Sequence, residues 1–256
     1  MRKELKRTFA ARIGRKIFNL IYPLNRSRTI AEGWERYARR HIWQGGGDLG
    51  SEWTRPEQIG IDLPADKIFS YVDEHVFSPF LGTCETLLEI GSGGGRFTEI
   101  LLPKCHKLIA SDTSPTMLKL LRKRFPGESK IECLLLDGRG LSPLRDHSID
   151  RAFSWGVFVH LQHWDIYNYL RELKRVLKPG GKAIIQHPNT FSDLGWKHFL
   201  GELSASLNRP KLPTTFSLFT PEIMKEFTRR AGLELADCLI DVIHRDGISL
   251  IISPEN

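Results

Sequence analysis

The 256-residue chain has no apolar run approaching the roughly 20 residues that a membrane-spanning helix requires. Its four cysteines, Cys84, Cys105, Cys133 and Cys238, are widely spaced and include no C-x-x-C pair. That excludes a disulfide framework or a zinc site as the organising device, and the thiols read as reduced and mostly buried in a cytoplasmic protein. No cluster of residues has metal-ligand spacing, so no metal is expected. With 41% hydrophobic and 26% charged residues the composition is that of an ordinary globular chain, long enough for one α/β domain with a large core.

A broadly basic surface is also lacking, although the formal charge is +7. Residues 1–28 hold nine basic residues and one acid, a balance of +8, so the remaining 228 residues sum to −1. Nucleic acid is therefore not an expected partner. Within this arm Leu5, Phe9, Ile13 and Ile17 recur every four residues, while Lys6, Arg7, Arg12, Arg15 and Lys16 fall largely elsewhere on the helical wheel. Such a basic amphipathic helix either packs on its own domain with a solvated basic face or lies on an anionic membrane surface as a peripheral contact. The apolar piece 17–24 is short, contains Asn19 and Pro23 and lacks a small-residue cleavage site, so a secretory signal is not expected.

The stretch that organises the chain is Thr86 to Thr98. Leu87, Leu88 and Ile90 form a short apolar strand, and Phe97, Ile100 and Leu101 recur as on a helix. Gly91, Gly93, Gly94 and Gly95 therefore occupy a strand-to-helix turn, where missing side chains allow close approach of a ligand and unpaired N–H groups favour an anion. A nicotinamide loop would read G-x-G-x-x-G, but Arg96 stands where the third glycine belongs. A Walker loop fails, because no Gly-Lys-Ser/Thr follows.

Strands and helices then alternate. Residues 107–112 form a strand ending in Asp112, which lies 21 residues past Gly91, a position suited to accepting hydrogen bonds from ribose hydroxyls. Ser114 and Pro115 supply an N-cap and first turn for a helix carrying Met117, Leu118 and Leu121. Residues 131–137 form a third strand ending in Asp137, beside Gly138; Asp137 either meets an adenine amino group or simply makes a turn. A fourth strand, 148–154, is followed by Trp155 and His160. Ile166, Leu170, Leu173 and Leu177 mark a long helix, stopped by the turn Lys178-Pro-Gly-Gly181 before a fifth strand at 182–186. Strands at 233–244 and 247–252, joined tightly through Arg245-Asp246-Gly247, close the chain.

In combination, Glu89-x-Gly91-x-Gly93-x-Gly95, Asp112, Asp137, the Asp150 strand and the Leu177-Lys-Pro-Gly-Gly181 turn resemble the core of class I S-adenosylmethionine-dependent methyltransferases, over roughly residues 84–188. The resemblance implies a Rossmann-like fold: a seven-stranded, mostly parallel sheet with an antiparallel last strand and helices on both faces. Residues 1–28 would be the arm, 29–83 a helical and loop cap, including a helix over about 64–77, and 84–256 the core, with a lid-like insertion at 188–219. It implies S-adenosylmethionine as cofactor, with Gly91, Gly93 and Gly95 around its methionine portion, Asp112 at the ribose and Asp137 at adenine. Glu89, Ser92, Thr113, Met117, Gly138 and Trp155 complete the expected cofactor set.

Methyl transfer to a hydroxyl needs a proton acceptor, and His160, following the fourth strand, is the first candidate, with His163 and His187 as alternatives. No Asn/Asp-Pro-Pro-Tyr motif appears, which points away from exocyclic-amine DNA methylation. The expected reaction is transfer to an O or N nucleophile of a small molecule or a lipid- or glycan-linked intermediate. Competing readings are a nicotinamide oxidoreductase and a cofactor-binding regulatory protein without turnover.

Overall fold

The computed structural model describes residues 29–43, 63–64, 67–207, 218–240, 242–243 and 245–255. The basic arm, the glycine run 45–47 and residues 208–217 lie outside them. Seven strands, β1 (Cys84–Ile90), β2 (Cys105–Asp112), β3 (Ile131–Leu135), β4 (Ile149–Ser154), β5 (Leu177–Pro188), β6 (Glu234–Leu239) and β7 (Asp246–Ile252), form one sheet in the order β3-β2-β1-β4-β5-β7-β6. β7 runs antiparallel to both β5 and β6, and the pairings from β3 across to β5 are parallel.

The central strands read as near-continuous apolar runs because helices cover both faces. Side chains alternate between two cores. Leu88, Ala152 and Ile185 pack on one face with Ile166, Leu170 and Leu173 of the helix His163–Val176 (α6). Leu87, Phe153 and Ile184 pack on the other with Ile68 and Val72 of Ile68–Val72 (α2), and with Leu121 of Pro115–Arg124 (α5). The remaining helices are α1 (Ile30–Trp43), α3 (Ser78–Leu81), α4 (Thr98–Leu101), α7 (Asp193–Leu207) and α8 (Pro221–Arg230).

Element identities agree with the sequence pattern, and the differences are at junctions. The helix expected over 64–77 starts at Ile68, passes through a π-helical turn at Asp73–Phe77 and continues to Leu81. Leu177, counted with the helical stripe, already has extended backbone and pairs with Ile149. The Lys178-Pro-Gly-Gly181 turn is a bulge inside the ladder, since the next pair is Arg151 with Lys182. β6 ends at Leu239, short of the expected His244, and β7 begins at Asp246, so Asp246 and Gly247 belong to the strand and not to the expected tight turn. Of the four unpaired cysteines Cys105 alone is buried, and the others are half-buried.

Order reverses between β1 and β4: β2 and β3 lie beyond β1, and β5 lies beyond β4. The carboxyl ends of β1 and β4 thus border the crevice where open α/β sheets bind ligands. Glu89, near the end of β1, is buried and accepts a 2.6 Å hydrogen bond from Thr98 Oγ1 at the start of α4. Burial pushes its carboxyl up to about 8 from the ordinary 4.5, despite the Thr98 bond and with some repulsion from Asp112. Between those values the folded protein holds a proton that the unfolded chain has released, so stability falls as pH rises through that window and levels off above it. Denaturant titrations of cofactor-free protein from about pH 5 to about pH 9 should show this decline, and Glu89→Gln should flatten it. An equal decline in the variant would assign the effect to other groups.

Candidate cofactor and acceptor site

A cavity of about 870 Å³ opens at these strand ends. One side is the glycine loop. Gly91 and Ser92 donate backbone N–H groups to Ser111 O at 2.8 and 2.9 Å, so the loop is pinned to the end of β2. Gly91 has φ +77°, and a Cβ there would stand 2.1 Å from Val157 Cγ2. Gly93, at φ +53°, has only open space where its Cβ would be. Ser92 Oγ is buried with no hydrogen-bond partner among the described residues, and its residue lines the cavity. An open cradle with an orphaned hydroxyl and strand-end acid fits the polar methionine and ribose portions of S-adenosylmethionine.

Asp112 supplies that acid. Its Oδ2 accepts from Gly93 N at 2.9 Å and its Oδ1 from Ser114 N at 2.8 Å. Burial raises its pKa, opposed by those bonds and another from the Thr113 backbone. Asp112, Thr113, Met117 and Gly138 all line the cavity. At Gly138 a Cβ would sit 3.4 Å from Thr113 and 3.5 Å from Ile30, ordinary contact distances, so it is the φ of +83° and not lack of space that calls for glycine there.

Three residues of the expected cofactor set stand elsewhere. Asp137 is exposed and off the cavity wall, and its Oδ1 accepts from Arg139 N at 2.8 Å, the local turn that the sequence left open. Glu89 lies beneath the loop. Gly95 faces α5, where a Cβ would meet Phe125 at 2.8 Å, so its place is in packing the loop against that helix. Trp155 does line the cavity, but it is also embedded among Phe77, Phe97 and Phe153, with centroids 5.4 to 5.9 Å away.

The histidines separate clearly. His160, on a short 3-10 turn after β4, lines the cavity and meets Trp34 edge-on at 4.9 Å. His163 packs between Phe219 and Phe227 away from the cavity wall. His187 is fully buried behind it, bonded to Ser249 Oγ and Pro188 O, and burial pulls its pKa down to about 4.

Sequence reasoning missed much of the wall. Trp34 and Tyr37 of α1 close one side, and Lys197, His198 and Glu202 come from α7. Tyr169 enters from α6, and Arg245 precedes β7. Of these Tyr169 carried a signal, lying three residues after Ile166 on the same stripe, and the α7 residues fall within the insertion expected at 188–219 without having been singled out. α1 is latched by Glu35, which accepts from Ser114 Oγ at 2.6 Å, Thr116 Oγ1 at 2.6 Å and Thr116 N at 3.2 Å. Burial pushes the Glu35 carboxyl up, but these bonds and Arg39 outweigh it and hold the pKa below its ordinary value.

A methyltransferase-domain family model matches residues 88–185, from β1 into β5. Residues 88–185 thus carry a methyltransferase domain, of the kind found in S-adenosylmethionine-dependent methyltransferases. An uncharacterised methyltransferase of Schizosaccharomyces pombe is 35% identical over 39% of this chain and 38% of its own length. A demethylmenaquinone methyltransferase of Clavibacter sepedonicus is 30% identical over 54% of each chain. The chain thus spans about two fifths to a little over half the length of these curated relatives. A methyltransferase structure from Aquifex aeolicus superposes with a TM-score of 0.56 over 78% of this chain and 97% of that one, at 18% identity, a likeness of fold.

The methyltransferase cofactor gives two contrasting expectations. Asp112→Ala should weaken S-adenosylhomocysteine binding by about tenfold or more without unfolding the domain, since it removes a charged acceptor at the loop. Glu35→Ala should act mainly on release, raising the dissociation rate measured by stopped-flow fluorescence. Unchanged affinity in the first variant, or an unchanged off-rate in the second, would remove that residue from the site.

Proposed function

We propose that the protein is a methyltransferase that transfers the methyl group of S-adenosylmethionine to an oxygen or nitrogen of a small-molecule acceptor. The observation that carries this reading is one cavity with the pinned glycine loop and Asp112 on one side and His160 on the other. The bound sulfonium supplies a methyl carbon activated toward in-line displacement. What the chain must add is alignment and exclusion of water, which can account for much of the rate. Trp34, Tyr37 and Leu194 line the same space, and His160, also on its wall, would take the proton of an acceptor hydroxyl.

The test is mass-spectrometric detection of a methyl gain on candidate acceptors. With an acceptor in hand, His160→Ala should lower kcat by about 10²-fold or more while leaving cofactor affinity nearly intact. Retained turnover would leave His160 a wall residue that only positions the acceptor. Cofactor binding without methylation of any acceptor would favour a regulatory protein, and binding of NAD instead would favour the oxidoreductase.

A membrane-surface acceptor, lipid- or glycan-linked, is favoured by two features. The arm concentrates a charge of +8 in 28 residues. On α7, beside the cavity, Trp196, Leu200 and Leu203 are 45%, 46% and 44% exposed at helical spacing. No helix among the described residues is long and apolar enough to cross a membrane. The full chain should sediment with anionic vesicles and detach as salt rises, and joint neutralisation of Lys6, Arg7, Arg12, Arg15 and Lys16 should weaken this binding. Absence of vesicle binding at low salt would reject membrane recruitment.

A further inference from the structure

Tyr169 is 3% exposed, yet it lines the cavity. Its place is fixed from two sides. On α6, Asn168 Nδ2 donates to Arg139 O at 2.5 Å and Glu172 Oε2 accepts from Leu141 N at 3.2 Å, so residues flanking Tyr169 tie the helix to the loop after β3. Leu136, where that loop begins, donates its N–H to Asp112 O at 2.9 Å. Tyr169, Leu136 and Leu161 belong to one core cluster and all three line the cavity. The Tyr169 ring is tilted against Phe158, with centroids 5.7 Å apart. The phenol is therefore held beside the end of β2, where Asp112 also holds the glycine loop.

No hydrogen bond among the described residues reaches its hydroxyl. Burial raises the pKa of the phenol, and the nearby carboxylates of Asp137, Asp165 and Asp112 raise it further, so the group stays protonated. Those acids also place its oxygen toward the strand ends at which the cavity opens. A buried hydroxyl is costly to leave unpaired, so one standing on a cavity wall is matched to a polar atom of the molecule that fills the cavity. A flat heteroaromatic base meets both demands of this corner: its faces take the apolar contact of Leu136 and Leu161, and its edge offers ring nitrogens and an amino group. Asp137, which the family resemblance assigns to that base, is exposed, off the cavity wall and engaged with Arg139 N.

We propose that the Tyr169 hydroxyl, in place of Asp137, reads the purine base of the cofactor through a hydrogen bond to its edge. Tyr169 is thus the residue of this chain that sets specificity for the base. This inference rests on the methyltransferase reading, with S-adenosylmethionine as cofactor, and names how this chain selects it.

The test is calorimetry of S-adenosylhomocysteine on the full chain. Tyr169→Phe keeps the ring that packs on Phe158 and should lower affinity about fivefold, the scale of one hydrogen bond, whereas Asp137→Asn should leave it nearly unchanged. Urea unfolding of cofactor-free protein separates binding from structure: Tyr169→Phe should be at least as stable as the wild type, because no bond within the protein is lost. Analogues of S-adenosylhomocysteine in which one ring nitrogen of the base becomes C–H, or the amino group becomes hydrogen, complete a cycle of paired changes. One of them should bind the wild type more weakly than the parent compound does, and that penalty should vanish in Tyr169→Phe. Equal discrimination among the analogues by both proteins, a loss of affinity confined to Asp137→Asn, or a destabilised cofactor-free Tyr169→Phe would each overturn the assignment. No binding of S-adenosylhomocysteine to the wild type would defeat the methyltransferase reading itself, whereas binding indifferent to Tyr169→Phe would defeat only the role of Tyr169.

Discussion

The Asp112 carboxylate joins three things that would otherwise move independently. One oxygen holds Gly93 in the glycine loop and the other holds the N–H of Ser114, while its own strand, β2, pairs with β1. Backbone bonds from Gly91 and Ser92 to Ser111 add a second tie one residue earlier. Loop and helix start are therefore fixed by the end of one parallel strand, and that is the element least able to shift in a doubly covered sheet. The partly buried carboxylate is tolerated because backbone donors compensate for its lost hydration.

The same helix start also anchors the cover. Ser114 uses its hydroxyl twice, accepting from Met117 N as N-cap and donating to Glu35 of α1. A carboxylate at a helix N-terminus gains from the unpaired N–H groups there, and Thr116 N is one of them. Moving α1 away from α5 would therefore break the charge-assisted bonds from Glu35 to Ser114 and Thr116. Cofactor loop and cover are thus tied to one strand-helix junction, Asp112 to Thr116.

How much of this was legible depended on whether period or contact carried the information. Strand identity and the positions of Gly91, Gly93 and Asp112 follow from local patterns, because the parallel core demands apolar runs and the turn demands positive φ. Asp137 shows the limit: a strand-end acid before glycine reads the same whether it faces a ligand or closes its own turn, and here it bonds Arg139 N. Leu177 shows another, since one more apolar residue at helical spacing cannot reveal that the backbone has already turned extended. Glu35 left no trace, because its partners are 79 and 81 residues away.

The two halves of the cavity also differ in what builds them. On the glycine-loop side the contacts that set geometry are backbone N–H groups and a strand-end carboxylate, features that the fold reproduces wherever the turn forms. On the other side the wall consists of side chains from α1, α7 and the connection before β7, segments whose sequences show no periodicity tied to the site. Arg245 could be read there as a turn residue, and Lys197 as a solvated lysine, until the β5–β7 register brought the first to the cavity rim. The glycine-loop side is therefore written in the order of the chain, whereas the opposite wall is written in tertiary contacts. That difference explains why a family resemblance could be read from residues 84–188 while the residues of the opposite wall come together only in the assembled fold.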